Sequence, residues 1–150
     1  MFAAIGDTPY NIILFLHILT AFVAFAPAVA HPLLANTMEK AGFAERAKVF
    51  EYFSANAMKV YGSSLIVSGL LGFGVAGMSD KVFKMSQGWL VTAIIIWIAM
   101  NGVLHAMILP GEKGAAAGDD EAEKKLAIGG SVFTLLFLAQ LWVMVAKPGL

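Results

Sequence analysis

Four stretches of this sequence are long and apolar enough to cross a bilayer, at about residues 10–34, 60–78, 88–109 and 126–146. A helix rises ~1.5 Å per residue, so roughly 20 apolar residues match ~30 Å of hydrocarbon. The expectation is an all-α, four-helix transmembrane bundle occupying 1–150 as a single four-span integral membrane domain. Composition points the same way. The chain is 59% hydrophobic and 13% charged, whereas a soluble domain is about 45–50% apolar and about 25% charged.

Charge and cysteine content exclude several functions. Ten basic residues balance ten acidic ones with no basic stripe, so there is no electrostatic footprint for nucleic acid. The absence of cysteine excludes disulfides, thiolate chemistry and Cys-held iron–sulfur clusters. The strong ligating or proton-handling groups inside the apolar blocks are three histidines, His17, His31 and His105.

The first block is expected to be a span rather than a cleaved leader. Ala28-Val29-Ala30 resembles a cleavage site, but the segment before the block carries Asp7 and no Lys or Arg, and a signal peptide opens with positive charge. Between spans one and two, Phe43, Phe50, Phe53, Ala57 and Val60 recur at helical steps, opposite Glu45, Lys48, Tyr52, Asn56 and Lys59. That pattern predicts an amphipathic lead-in helix over 38–59, lying in the interface and running into span two. In span two, Ser64, Ser68, Gly72 and Ala76 form a face of small side chains at four-residue steps. Such a face lets another helix approach closely and offers a docking surface for a membrane-protein partner.

Pro110 is expected to end span three, and 111–125, rich in Gly, Ala and charge, to be a solvated loop. Its acidic cluster, Asp119, Asp120, Glu121 and Glu123, lacks ordered metal-ligand spacing, and no metal site is assigned. Lys40, Arg46, Lys48, Lys59, Lys113, Lys124 and Lys125 lie on one side of the predicted topology, against Lys81, Lys84 and Lys147 on the other. The positive-inside rule then puts both termini outside a plasma (inner) membrane.

Ionisable groups within spans are costly and are functional candidates for that reason. In this topology His17 and Gln140 share one depth, and a hydrogen bond between them is allowed if their helices face. His31 and His105 share another depth near the inner ends of their spans, with His105 expected inside the protein. His17 and His31 are fourteen residues apart, hence ~21 Å along an ideal helix and within roughly 40° of one face. The spacing resembles the paired haem-ligand histidines of cytochrome b helices. Two haems would need four such ligands, so one haem b, held by His31 and His105, is the most that three histidines support. Pro27 and Pro32 interrupt that spacing, and Pro32 is expected to push His31 out of helical geometry. Trp97, Asn101 and His105 fall at four-residue steps, with Asn101 able to orient His105 or to bond a neighbouring backbone. Met100 and Met107 flank His105, and thioether with imidazole suits copper. The competing structural reading is that each histidine makes one interhelical hydrogen bond.

Phe15-Leu16-His17-Ile18-Leu19 in helix one, the amphipathic stretch, Ser68-Gly69-Leu70 in helix two and the four-span length together resemble a family of small bacterial integral membrane proteins of unknown function. That group is distantly similar to the copper-resistance D membrane proteins and to the HemJ-type, membrane-embedded protoporphyrinogen oxidases. The resemblance implies a four-span fold and carries the helix-one histidine over onto His17. No basic residue of helix two stands at a matching motif. Three functional expectations follow: a haem-associated redox protein or accessory subunit with His17, His31 and His105 as ligands supported by Asn101 and Gln140; a small transport or copper-permeation protein; and a purely structural subunit. Whether the chain is an enzyme is left open by the residues.

Overall fold

The computed structural model describes residues 5–40 and 43–149, without the side chains of 31–32, 35–36, 38–39 and 43–46. The described elements are helices α1 (Thr8–Glu39), α2 (Phe43–Asn56), α3 (Ser63–Gly77), α4 (Gly88–Val103), α5 (Leu109–Ala116) and α6 (Asp120–Ala146). A π turn at Ala57–Gly62 joins α2 to α3, and a second at Leu104–Ile108 joins α4 to α5. The fold is all-helical, with four helices apolar enough to cross a membrane: Thr8–Ala30, Ala47–Gly77, Gly88–Ala116 and Asp120–Ala146. Helices suit hydrocarbon because each satisfies its own backbone hydrogen bonds where no water can. The surface fits that solvent: on α6, Leu135, Leu138, Trp142 and Val145 are 55–72% exposed. In lipid these side chains lose nothing by being on the outside.

The helices run further than the sequence suggests. α1 continues through Pro27 and Pro32 to Glu39, so the backbone at His31 stays helical. A spanning helix tolerates a missing N–H, because unwinding in lipid would orphan several groups instead of one. Nor does Pro110 end the third span. The π turn just ahead of it shifts the hydrogen-bond ladder where proline cannot donate, and α5 follows directly.

Residues 109–116, expected within or beside a loop, are therefore helical, and only 117–119 turn before α6. Asp119 caps α6, its carboxylate accepting from the N–H groups of Glu121 (2.9 Å) and Ala122 (3.2 Å). Asp120, Glu121 and Glu123 fill the first turn, where negative charge meets the positive end of the helix dipole. The acidic cluster is thus the start of a helix. On the lead-in helix, Phe50, Phe53 and Ala57 are buried as the pattern requires, whereas Val60 lies in the π turn and is exposed. Phe43, Glu45 and Arg46 lie outside the described side chains. Phe50 packs towards α5 and the start of α6, in a cluster with Ala115 and Leu126, and Phe53 lies against Tyr52 and Tyr61.

At the opposite end, 78–87 is a tight connection. Ser79 Oγ donates to the Ala76 carbonyl (2.7 Å) and accepts from the Phe83 N–H (2.8 Å). Gln87 accepts from the Lys84 N–H and the Trp89 indole and donates to the Val82 carbonyl.

α1 packs chiefly along α3, and α6 along α4 and α5. The small-residue face of α3 meets α1 of the same chain: Ser68 bonds His17, and a Cβ added at Gly72 would stand 3.1 Å from the His17 ring. A Cβ at Gly69 would overlap the Trp97 indole of α4, whereas one at Gly77 meets nothing within 4 Å. By contrast α1 and α6 scarcely touch, and the main bridge between them is Phe25, stacked on Phe133 and Phe137. Gly72→Leu should lower thermal stability in detergent by about 1–3 kcal/mol through overpacking, while Gly77→Leu stays within about 0.5 kcal/mol of the parent. Equal melting shifts for the two variants would overturn the assignment of this seam.

Candidate functional site

His17 sits about a third of the way along α1, half-buried against α3. Its Nδ1 lies 2.7 Å from the Ser68 carbonyl oxygen. A carbonyl oxygen only accepts, so Nδ1 carries a proton, and in the neutral ring Nε2 keeps its lone pair. Ser68 Oγ donates in return to the His17 carbonyl at 3.2 Å. The ring lies over Gly72, where any side chain would crowd it. An imidazole held at Nδ1–H by a backbone carbonyl, with Nε2 left over, is the arrangement that orients histidine ligands in metal and haem sites.

His17 lines a cavity of about 600 Å³ bordered by α1, α3, α4 and α6 and open at its margin, where Phe22 and Val145 are exposed. Its walls are mainly apolar, Phe73, Trp97, Met100 and Phe137 among them, and Gln140 and Lys147 also line it. The buried Gln140 Oε1 has no hydrogen-bond partner. The sequence brought His17 and Gln140 to one depth; the structure puts both in one cavity, but Nδ1 of His17 bonds α3 and Gln140 makes no bond to it. A buried amide oxygen without a donor is uncommon and points to a missing partner.

His105 is not part of this cavity. His105 is exposed on the second π turn, with Nδ1 2.8 Å from the Asn101 carbonyl of its own helix. It does not lie inside the protein as expected, because Leu104 beside it takes the buried position. Asn101 does not orient His105 through its side chain, whose Nδ2 donates to the Trp97 carbonyl (2.9 Å). Trp97 Nε1 donates in turn to the Leu65 carbonyl of α3 (2.9 Å). The His31 side chain lies outside the described residues, and with it the His31–His105 pair.

A second cavity, about 680 Å³, occupies the opposite half of the bundle. Ala24, Phe25, Leu65, Met100, Leu104 and Phe133 form the apolar layer between the two. Tyr61 of the first π turn, Leu104 and Ile108 of the second, Pro27 of α1 and Glu112 of α5 line it. Glu112 is 1% exposed, and its Oε2 has no partner. Sequence reasoning missed this residue by assigning it to a solvated loop. The available signal was the spacing of Gly111, Gly114 and Ala115, small residues fit for a helix contact. A Cβ at Gly111 would indeed stand 2.8 Å from the Leu126 Cβ, and one at Gly114 would overlap Ala122. Among the described residues no group of three or more His, Asp or Glu is placed to hold a metal ion.

No family model matches the chain, and neither a curated protein nor a solved structure does. The four spans define a multi-pass helical membrane protein, and the site has to be read from its own geometry.

Replacing an unpartnered buried polar group by an apolar one of similar size is neutral or stabilising. Gln140→Leu should therefore keep or raise the melting temperature of the ligand-free protein in detergent. A loss above about 1 kcal/mol would mean that the amide makes a bond essential to the fold.

Proposed function

We propose that this chain is a haem-associated membrane protein, a redox carrier or accessory subunit, which holds haem b in the His17 cavity. The observation that carries the reading is the His17 ring, fixed at Nδ1 by the Ser68 carbonyl and left with a free Nε2 lone pair beside a largely apolar volume of about 600 Å³. A macrocycle of mostly apolar faces suits such walls, and an imidazole is a usual axial ligand. Gln140 and Lys147, towards one end of the cavity, supply polar groups for an acidic edge of the ligand. The resemblance of the helix-one histidine segment to the copper-resistance D and HemJ-type proteins supports the same residue. His105, exposed and outside this lining, is a bystander in this reading.

Titrating haem into the detergent-purified protein should give a saturable, red-shifted Soret band. His17→Ala should weaken binding at least tenfold, and His105→Ala should leave it unchanged. No saturable band with the parent protein, or equal binding by His17→Ala, would sink the proposal.

A second reading, a small permeation protein, draws support from a different observation. Two cavities lie on either side of one apolar layer, a layout suited to passage across the bundle. Haem binding that fails while flux into vesicles persists would favour it.

In either reading the chain sits in a plasma or inner membrane with both termini outside and the α5–α6 turn in the cytoplasm, following the Lys/Arg count. The exposed positions Ser86 and Ala117 test this in a chain without cysteine. Ser86→Cys should react with an impermeant maleimide on intact cells and Ala117→Cys only after lysis; the reverse pattern inverts the topology.

A further inference from the structure

The cavity on the α5 side is independent of the haem reading and has its own chemistry. Glu112 is 1% exposed, lines the cavity, and has Oε2 without a partner. The hydroxyls of Ser131 and Thr134 do not supply the missing donor, which leaves the Tyr61 phenol as the one hydroxyl of this lining with a proton to give. Ser131 Oγ gives its proton to the Ala127 carbonyl (2.9 Å), and Thr134 Oγ1 to the Gly130 carbonyl (2.9 Å). Both oxygens reach the cavity as acceptors. Apart from the Tyr61 O–H, the polar side-chain atoms of this lining are thus acceptors, the carboxylates of Glu112 and Glu123 among them, in walls otherwise largely of Ala, Leu, Ile and Phe.

That combination selects a ligand. Hard metal ions take six or more oxygen ligands, and the walls are too apolar to provide them. An ammonium group has up to three donors and no acceptor, and an apolar body would fill the remaining volume. Charge adds to the fit, because a hydrogen bond between an ammonium and a carboxylate is about twice as strong as a neutral one. The route in is lateral. The cavity lies between α1, through Ala24, Pro27 and Ala28, and α6, through Ala127, Ser131 and Leu135. These two helices scarcely touch, and Ala127, Ser131 and Leu135 are exposed. Two π turns and a proline line the same space, and π turns within helices are frequent at functional sites. We infer that the cavity between α1, α5 and α6 is a binding site for an amphiphilic primary amine, entering from the bilayer, with Glu112 taking its ammonium.

The test uses the full chain in lipid nanodiscs, with empty nanodiscs subtracted, and three probes of one shape: 4-phenylbutylamine, 4-phenylbutanol and 4-phenylbutyrate. The amine should bind saturably and at least tenfold more tightly than the alcohol, with the carboxylate weakest. Glu112→Gln should bring the amine to the affinity of the alcohol and leave the alcohol unchanged. Gln140→Leu, in the other cavity, should alter neither. Equal affinity of amine and alcohol for the parent protein would overturn the proposal without recourse to any variant, and so would amine binding retained in full by folded Glu112→Gln. Haem binding at His17 is read separately by its Soret band, so either proposal can fail alone.

Discussion

α3 is held on two sides by side chains that bond its backbone, and the arrangement of the other helices follows from that grip. His17 of α1 donates to the Ser68 carbonyl, and Trp97 of α4 donates to the Leu65 carbonyl. Both rings come that close because Gly72 and Gly69 have no side chains to hold them off. In lipid there is no hydrophobic force between helices, so close packing and such bonds carry much of the association. With α1 committed to α3 on this side, little of it faces α6, and the volume left between those helices becomes the two cavities.

Much of this architecture was legible in the sequence, for a simple physical reason. Bilayer thickness sets a length scale, and the four apolar blocks meet it whatever their tertiary contacts. The small face of Ser64, Ser68, Gly72 and Ala76 marked a helix seam because only small side chains permit close approach. The acidic cluster at 119–123 and the glycines at 111 and 114 were misread, because composition alone does not separate a capped helix start from a loop. Asp119 as a cap, followed by three carboxylates, is in retrospect a helix signature. The candidate sites were legible only in part. The depths of His17 and Gln140 follow from counting residues, but which carbonyl takes the His17 proton is a tertiary fact. His105 was expected inside because it is ionisable, and it is instead satisfied by its own helix and faces outward.

Phe25 sets the shape of the interior. Its ring bridges α1 to Phe133 and Phe137 of α6, within the apolar layer that divides the bundle. Polar groups lie on both sides of that layer, His17 and Gln140 on one and Glu112 and Tyr61 on the other. The two halves therefore form distinct environments in one small protein.

The π turns alter how such a helix counts its residues. Leu104 and Glu112, eight positions apart, are both buried; in an uninterrupted α-helix they would differ in direction by about 80°. A π turn takes up one extra residue, so the pair behaves as if seven apart and aligns to within about 20°. Ala57 and Leu65, also eight apart and both buried, span the other π turn in the same way. The α2–α3 and α4–α5 segments therefore each carry two hydrophobic phases, one before the π turn and one after. An acidic residue that a single phase would have turned towards lipid points inward because of one supernumerary backbone unit several residues upstream.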